Sequence, residues 1–335
     1  MQSDVHEPWS RRPPYSKRPD DEAMLATVNA ALQGLPLQHA QSGADTERLP
    51  IVYVVGAPRS GTTLLSQLLS RHLPIGYINN LIARFWLRPS VGIRLSNLLL
   101  GERGREGIAF ESIHGVTSGI LGPHEFGYFW RHWLRLDRSP THHLSPAALG
   151  EIDRVGLKRA LEEEILGVFQ TGVVLKNGIC GFHAGFLAGI HPVSLFVHIT
   201  REPFDAAASV LKCRQERFGS YEAWWSLKPA TYPFGPDAGD PVAEAARQVL
   251  DCKKEMDVEL ALPGVNGMRV TYEDLCADPQ DVVERVCVRL AEMGIEVSPV
   301  SMALPRLSMA STPRLPDDLE RRLRERLEQA VLRSQ

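Results

Sequence analysis

The stretch IVYVVGAPRSGTTLLSQLLSRHL, residues 51–73, decides the fold of this chain. Its first five residues form an apolar, largely β-branched run, which is typical of a strand buried on both faces. Gly56 and Gly61 bound a short turn, and the residues that follow have the pattern of a helix. A strand, a glycine-bounded turn and a helix in this order are the context that a phosphate-binding loop requires.

Three further apolar segments are predicted as strands: 173–177, 194–200 and 268–272. Each is separated from the next by helical or irregular crossovers, which favours an α/β fold with a central parallel sheet flanked by helices. We predict helices at 21–34, 153–169 and 278–294, the last with Asp278 near its N-cap and Pro279 at N1.

We assign residues 1–48 to an N-terminal tail with that first helix, and residues 49–335 to one domain. Residues 1 to about 20 are polar and rich in Pro and Arg, so we expect them to be flexible or draped over the surface. In the last segment Leu319, Leu323 and Leu327 recur at every fourth position. Core packing is the favoured interpretation of this stripe, and a homodimer contact is the alternative.

Composition narrows the function classes. The 335 residues carry a formal net charge of −3, which argues against a nucleic-acid partner, since that would require a basic surface. The five cysteines are scattered along the chain: Cys180, Cys213, Cys252, Cys276 and Cys287. No two of them form a C-x-x-C pair, which argues against a zinc knuckle or a redox motif. The polar N-terminus and the lack of an apolar run of about 18 residues predict a cytoplasmic protein without a transmembrane segment.

The turn after the first strand carries its own chemistry. Its glycines let backbone N–H groups point inward, and the positive end of the next helix favours an anion there. Ser60, Thr62 and Thr63 add hydroxyl groups. Gly61 is followed by Thr rather than by the Lys of a nucleotide triphosphatase, and the cation is Arg59 inside the loop. This suits one phosphate with a singly charged substituent, so no metal is expected.

A second candidate anion site follows the strand at 194–200. Arg201 stands at the carboxyl end of that strand, where open α/β sheets bind ligands. Pro203 ends the strand, and Asp205 is predicted to cap the next helix. Ser209 lies eight residues after Arg201. An Arg with a nearby hydroxyl can hold a dianionic phosphate by charge-assisted hydrogen bonds.

These two motifs resemble those of sulfotransferases that use 3′-phosphoadenosine-5′-phosphosulfate (PAPS). GAPRSGTTLL is similar to their 5′-phosphosulfate loop, and Arg201 with Ser209 is similar to their 3′-phosphate site. A third likeness, VTYEDLCADPQDVVERV at 270–286, is interpreted as structural, including Tyr272. The resemblance implies a P-loop-like sulfotransferase fold, PAPS as donor and PAP as product. It implies these donor-binding residues: Arg59, Ser60, Gly61, Thr62, Thr63, Arg201 and Ser209.

The resemblance also implies a His or Glu base between the two motifs. Where relatives often carry a carboxylate, this chain has Asn79 and Asn80. The best replacement is the turn GPHEFG, residues 122–127, which resembles a segment of bacterial members. We predict Glu125 or His124 as the base.

Other interpretations of these residues remain open. The base could instead be Glu111 or His114. Glu125 could simply pair with Arg131 or Arg135 on a surface helix.

Lys176, at the end of a predicted strand, is similar to the Lys that stabilises the transferring group in related enzymes, and a solvated strand-end Lys is the plainer alternative. Residues 308–314 resemble a loop that closes over the donor, or are a solvent loop. Trp224 and Trp225 could line an acceptor pocket or belong to the core.

The predicted function is sulfuryl transfer from PAPS to a hydroxyl or amine of a small-molecule, glycan or lipid acceptor. Aromatic residues in 124–133 and 221–232 favour a partly apolar acceptor. The alternatives are a P-loop small-molecule kinase and a non-catalytic protein that binds PAPS or PAP.

Overall fold

The computed structural model describes residues 11–13, 15–34, 45–101, 105–304, 306–311 and 314–332. Two sheets occur there. The strands of the larger sheet are β1 Ile51–Val55, β2 Gly76–Tyr77, β5 Val173–Lys176, β6 Ser194–Thr200 and β7 Asn266–Thr271, and the smaller hairpin contains β3 Ser112–Ile113 and β4 Val116–Thr117. The larger sheet has the order β2-β5-β1-β6-β7, and every neighbouring pair in it is parallel.

Helices occupy most of the remaining described chain. Their bounds are α1 Pro19–Gln33, α2 Thr62–His72, α3 Pro89–Leu100, α4 Gly127–Trp133, α5 Pro146–Gly150, α6 Arg154–Arg159, α7 Gly167–Phe169, α8 Gly178–Gly181, α9 Ala184–Ala188, α10 Pro203–Phe218, α11 Pro241–Leu260, α12 Tyr272–Ala277, α13 Pro279–Glu292 and α14 Asp317–Leu332. A π-helical turn, Ala160–Leu166, joins α6 to α7.

The predicted α/β class with a central parallel sheet is confirmed. The strands predicted at 51–55 and 194–200 have the predicted bounds, and the last strand begins earlier, at Asn266. The short edge strand β2 was not predicted, because two residues are too few to show a periodic pattern.

The core lies on both faces of β1, as its apolar sequence predicted. All five residues of the strand are fully buried. Tyr53 points to one face and stacks on Phe196 at 4.7 Å between ring centroids. On the opposite face Val52 packs in a second cluster with Leu65 and Leu68 of α2. Helices therefore cover both sides, and burial of these side chains stabilises the sheet.

Two helix predictions need correction. Glu202, not Asp205, is the N-cap of α10: because Pro203 takes position N1, the cap falls on Glu202, whose carboxylate accepts the Asp205 N–H at 3.0 Å. The helix predicted at 153–169 is interrupted by the π-helical turn, which contains the buried carboxylates of Glu162 and Glu164. The prediction for 278–294 is confirmed, with Asp278 accepting the Asp281 N–H.

The leucine stripe of α14 packs inside the chain. Leu323 is fully buried in a cluster with Leu211 of α10 and Val249 of α11, and Leu319 and Leu327 border the same cluster. The core interpretation of this stripe is confirmed.

Of the segment predicted to be flexible or draped, residues 1–10 and 14 lie outside the described residues. The described remainder runs along the surface and ends in α1.

All five cysteines are free thiols. Within the described ranges no helix is long and apolar enough to cross a membrane.

We predict that Leu323→Ala lowers the free energy of unfolding by about 2–5 kcal/mol, because it leaves a cavity between α14 and its neighbours. The matched control is Val288→Ala on α13, whose residue is 59% exposed. It should change stability by no more than about 0.5 kcal/mol. Denaturant unfolding measures both, and equal effects of the two variants would show that α14 does not pack as described.

Candidate functional site

The predicted site residues gather at the carboxyl edge of the parallel sheet. The loop of residues 56–61 follows β1, Lys176 ends β5, and Arg201 follows β6. Because parallel strands end at the same edge, three segments that are far apart in sequence converge there.

The loop after β1 is a tight turn that requires glycine. Gly61 has φ of +102°, and a Cβ on it would lie 2.5 Å from the Tyr272 ring. A Cβ on Gly56 would lie 2.5 Å from the Ile199 carbonyl oxygen. Arg59 also has a positive φ, 67°. The backbone therefore passes close to its neighbours, and only this sequence of small and permissive residues allows it.

The N-terminus of α2 opens into this turn. Gly61 is its N-cap and offers no side-chain hydrogen bond, so the first amides, those of Thr62 and Thr63, are not capped by a side chain. The hydroxyl oxygen of Ser60 is buried and has no hydrogen-bond partner among the described residues. Uncapped amides, a helix dipole and an unpartnered buried hydroxyl are together suited to an anion.

A side-chain hydrogen bond joins the two predicted anion motifs. Arg59 Nε donates to Ser209 Oγ at 2.8 Å, across 150 residues of sequence. Ser209 lies on α10, two turns beyond Arg201. The structure thus brings the glycine loop and α10, which follows Arg201, together.

The guanidinium of Arg201 is held in place by its neighbours. Its side chain is 6% exposed and lies 3.6 Å from Asp205, and its guanidinium lies 4.5 Å from the centre of the Tyr272 ring. One nitrogen, Nη2, donates to the Ala310 carbonyl oxygen at 3.3 Å. Nε is buried without a partner among the described residues. This leaves a donor free for a ligand.

Tyr272 is the residue whose part in this site the sequence did not reveal. Its ring supports both Gly61 and Arg201, and its hydroxyl accepts the Ala310 N–H at 3.0 Å. The only signal was its position directly after β7 at the carboxyl edge. The loop predicted at 308–314 reaches this ring through Ala310, while Thr312 and Pro313 lie outside the described residues.

Lys176 joins the loop helix to the predicted base. Its Nζ donates to Thr63 Oγ1 at 2.8 Å and lies 2.8 Å from Glu125 Oε1. The Lys176 side chain is 2% exposed, whereas that of Glu125 is 58% exposed. The ammonium is therefore buried and the carboxylate faces open space. Partial loss of solvating water beside the protein would by itself raise the pKa of Glu125, but the charge and hydrogen bond of Lys176 hold it below its ordinary value.

Backbone contacts fix the turn that carries Glu125. The His124 N–H donates to the Ile78 carbonyl oxygen at 2.8 Å, and the Asn80 N–H donates to that of Gly122 at 3.0 Å. Asn177 Nδ2 donates to the Glu125 carbonyl oxygen at 3.0 Å. Hydrogen bonds thus join the turn to the segment after β2. In that segment the sequence has Asn79 and Asn80 instead of a carboxylate.

The alternative ion pair of Glu125 with Arg131 or Arg135 is wrong. Arg131 pairs with Asp137 instead, and the partner of Glu125 is Lys176. The solvated strand-end interpretation of Lys176 is wrong as well, since this side chain is buried.

His124 is arranged as a donor. Its Nδ1 accepts the Phe126 N–H at 2.9 Å, so in the neutral ring the proton is on Nε2. Burial lowers the pKa of His124 to about 4, which keeps it neutral at physiological pH.

The two remaining base candidates, His114 and Glu111, differ in their surroundings. His114 Nδ1 lies 2.9 Å from Cys213 Sγ, and its Nε2 contacts Glu216, so both of its nitrogens are occupied. Glu111 is exposed and contributes its backbone carbonyl to Gln67.

The tryptophan pair divides between two roles. Trp224 is 5% exposed and packs on Tyr232 at 4.6 Å and Phe234 at 5.7 Å between centroids, which is a core position. Trp225 lies beside the guanidinium of Arg217.

Across the part of the chain that the structure describes, no three His, Cys, Asp or Glu side chains cluster as metal ligands.

Comparison with known proteins identifies the family. A model of the "Sulfotransferase family" matches residues 126–297, just over half of the chain. The match includes Lys176, Arg201 and Ser209, and begins directly after Glu125. No curated protein matches the chain.

Several solved structures are similar. Sulfotransferase STF9 from Mycobacterium avium is 19% identical with a TM-score of 0.48, over 97% of this chain and 79% of that one. Sulfotransferase STF1 from Mycobacterium tuberculosis H37Rv is 19% identical with a TM-score of 0.44, over 73% of this chain and 67% of that one. A sulfotransferase from Alicyclobacillus acidocaldarius is 16% identical with a TM-score of 0.38, over 84% of this chain and 95% of that one. On the strength of the family match, this chain belongs to the sulfotransferase family.

Proposed function

We propose that this sulfotransferase uses PAPS as its donor and sulfates a hydroxyl or amine of its acceptor, with Glu125 as the base. The observation that carries the proposal is the Arg59–Ser209 hydrogen bond, which unites two anion-binding features at one sheet edge. PAPS carries anionic groups at both the 5′ and 3′ positions of its ribose, and two such features match that distribution.

The donor-binding residues fit this ligand. The uncapped amides of α2 and the unpartnered Ser60 hydroxyl suit the 5′-phosphosulfate. The free Arg201 Nε and the Ser209 hydroxyl suit the 3′-phosphate.

Lys176 is suited to stabilising the leaving group. An ammonium has three N–H donors, and Thr63 and Glu125 take two of them. The third can point at the oxygen that bridges sulfur and phosphate, where negative charge develops as the bond breaks.

Glu125 is suited to accepting the proton. Its ionised carboxylate is more than half exposed next to a buried cation. It takes the proton of the acceptor hydroxyl as the oxygen attacks sulfur in line, and PAPS supplies the sulfuryl group and departs as PAP. His124 carries its proton on Nε2 in the neutral ring, so it can donate a hydrogen bond to the acceptor or to a sulfuryl oxygen rather than remove a proton.

The donor assignment predicts micromolar binding of PAP without metal and weaker binding of ATP. Arg201→Ala should reduce PAP affinity ~10–100-fold, because a charge-assisted hydrogen bond is lost. Calorimetry on both proteins measures this, with Arg269→Ala, an exposed Arg on β7, as the matched control. A preference for Mg-ATP would instead establish a kinase.

The base assignment predicts that Glu125→Gln lowers kcat by about 100-fold or more while PAP affinity is unchanged. Turnover is measured with whichever acceptor the wild type sulfates best in a panel. Glu111→Gln is the matched control and should retain wild-type turnover. If Glu125→Gln also retains it, the base lies elsewhere.

The lowered pKa of Glu125 predicts a pH effect. Glu125 must be deprotonated to act, so activity falls when the pH drops through its pKa, which Lys176 holds below the ordinary 4.5. In Lys176→Met the strongest of the effects that lower the pKa of Glu125 is lost, so this pKa rises and the acidic limb of kcat/KM moves to higher pH. An acidic limb that stays in place or moves lower would contradict this pairing.

A further inference from the structure

Arg217 is a buried cation that the proposed transfer does not use. It lies on α10, two turns beyond Ser209, and is 3% exposed. Its guanidinium lies 4.7 Å from the centre of the Tyr15 ring and 5.3 Å from that of Trp225. Two aromatic rings thus fix its orientation.

The hydrogen-bonding capacity of Arg217 is largely unmet. Nη2 donates to the His114 carbonyl oxygen at 3.4 Å, and Nε is buried without a partner among the described residues. Within those residues no carboxylate forms an ion pair with it. A buried charge without a counter-ion destabilises the fold, and a bound anion would relieve that penalty.

Arg217 lies near the residues that we propose for the transfer. Partial loss of solvating water raises the pKa of Glu125, and Lys176 lowers it most strongly, but the charge of Arg217 is also close enough to lower it. Hydrogen bonds also connect the two residues. Arg217 Nη2 donates to the His114 carbonyl oxygen, and the carbonyl oxygen of the next residue, Gly115, accepts the Thr63 hydroxyl at 3.3 Å. The same hydroxyl accepts Lys176 Nζ, the partner of Glu125.

The N-terminal arm, residues 11–13 and 15–18, lies next to Arg217. The Arg12 N–H donates to the Arg217 carbonyl oxygen at 2.7 Å, and Lys17 Nζ donates to the Tyr128 hydroxyl at 2.8 Å. The arm thus extends from α10 to α4, beside the turn that holds Glu125.

The charges near Arg217 and the arm do not balance. Glu22 pairs with Lys17 at 3.0 Å, and Glu125 pairs with Lys176. Arg11 is half-buried, with its Nε unpartnered among the described residues. Among the residues that the structure describes, Arg11 and Arg217 are therefore cations in excess.

We propose that the acceptor carries an anionic group, a carboxylate, sulfate or phosphate, close to the hydroxyl or amine that is sulfated, and that Arg217 binds it with help from Arg11. This inference rests on the proposed function. The aromatic faces of Tyr15 and Trp225 add apolar contact, so the favoured acceptor combines an apolar body with one anion.

The first test uses inorganic sulfate as the probe, with the donor site saturated by PAP. About 20 mM sodium sulfate, compared with sodium chloride at equal ionic strength, should raise the Tm of the PAP complex by about 2 °C. Arg217→Gln should lose this shift, and Arg217→Lys should keep part of it. Lys212→Ala, which removes an exposed charge on the same helix, is the matched control and should keep all of it.

The outcomes separate the inference from the function on which it rests. If PAP binds but sulfate has no further effect on the wild type, the anion site is absent and the donor assignment stands. If Arg217→Gln weakens PAP as much as Arg201→Ala, Arg217 belongs to the donor site and the inference fails. If PAP does not bind at all, both fail. Should Arg217→Gln not fold, Arg11→Gln must still reduce the sulfate shift.

The second test compares paired acceptors that differ only in a carboxylate or a carboxamide, such as 4-hydroxyphenylacetate and its amide. Among pairs that the wild type sulfates, we expect the anionic member to have a kcat/KM at least about tenfold higher, with no preference in Arg217→Gln. A wild type that prefers the neutral members contradicts the proposal.

Discussion

The buried ammonium of Lys176 is the interaction on which the arrangement of this site depends. Its side chain is 2% exposed, so the charge has little water to solvate it and must be satisfied by protein groups. It draws together Thr63 from the loop helix and Glu125 from a separate turn, each at 2.8 Å. One strand-end residue therefore couples the anion-binding loop to the carboxylate that we propose as the base.

The parallel sheet supplies the frame for this coupling. β1 lies in the centre, with β5 on one side and β6 on the other, so the loop after β1 is flanked by Lys176 and by Arg201. Tyr272, directly after β7, lies under both Gly61 and Arg201 and leaves no room for a side chain at the glycine. The backbone and the cation are thus held rigidly before any ligand arrives, which lowers the ordering cost of binding.

The cations of the site fall into two groups with separate tasks. Arg59 and Arg201 line the features matched to the donor, whereas Arg217, with Arg11 near it, is the cation that we propose for the acceptor. The chain as a whole is slightly acidic, with a formal net charge of −3, so this positive concentration is local. A local excess of buried positive charge favours anionic ligands specifically at the site rather than along the whole surface.

Sequence alone determined the α/β class, the glycine loop, its partner Arg201–Ser209 and the candidates for the base. These features depend on local patterns, such as a β-branched run, glycines at fixed spacing and a strand-end Arg. Such patterns involve residues that are close in sequence, so they can be recognised without the structure. The tertiary structure decided what no local pattern encodes. It paired Glu125 with Lys176 rather than with Arg131, and it brought the Tyr272 ring against the glycine loop. It also left the proton of neutral His124 on Nε2 and gave both nitrogens of His114 a partner. Each of these outcomes depends on groups brought together from distant parts of the chain, because burial makes an unpartnered charge or polar atom costly and so selects its partner by proximity in space.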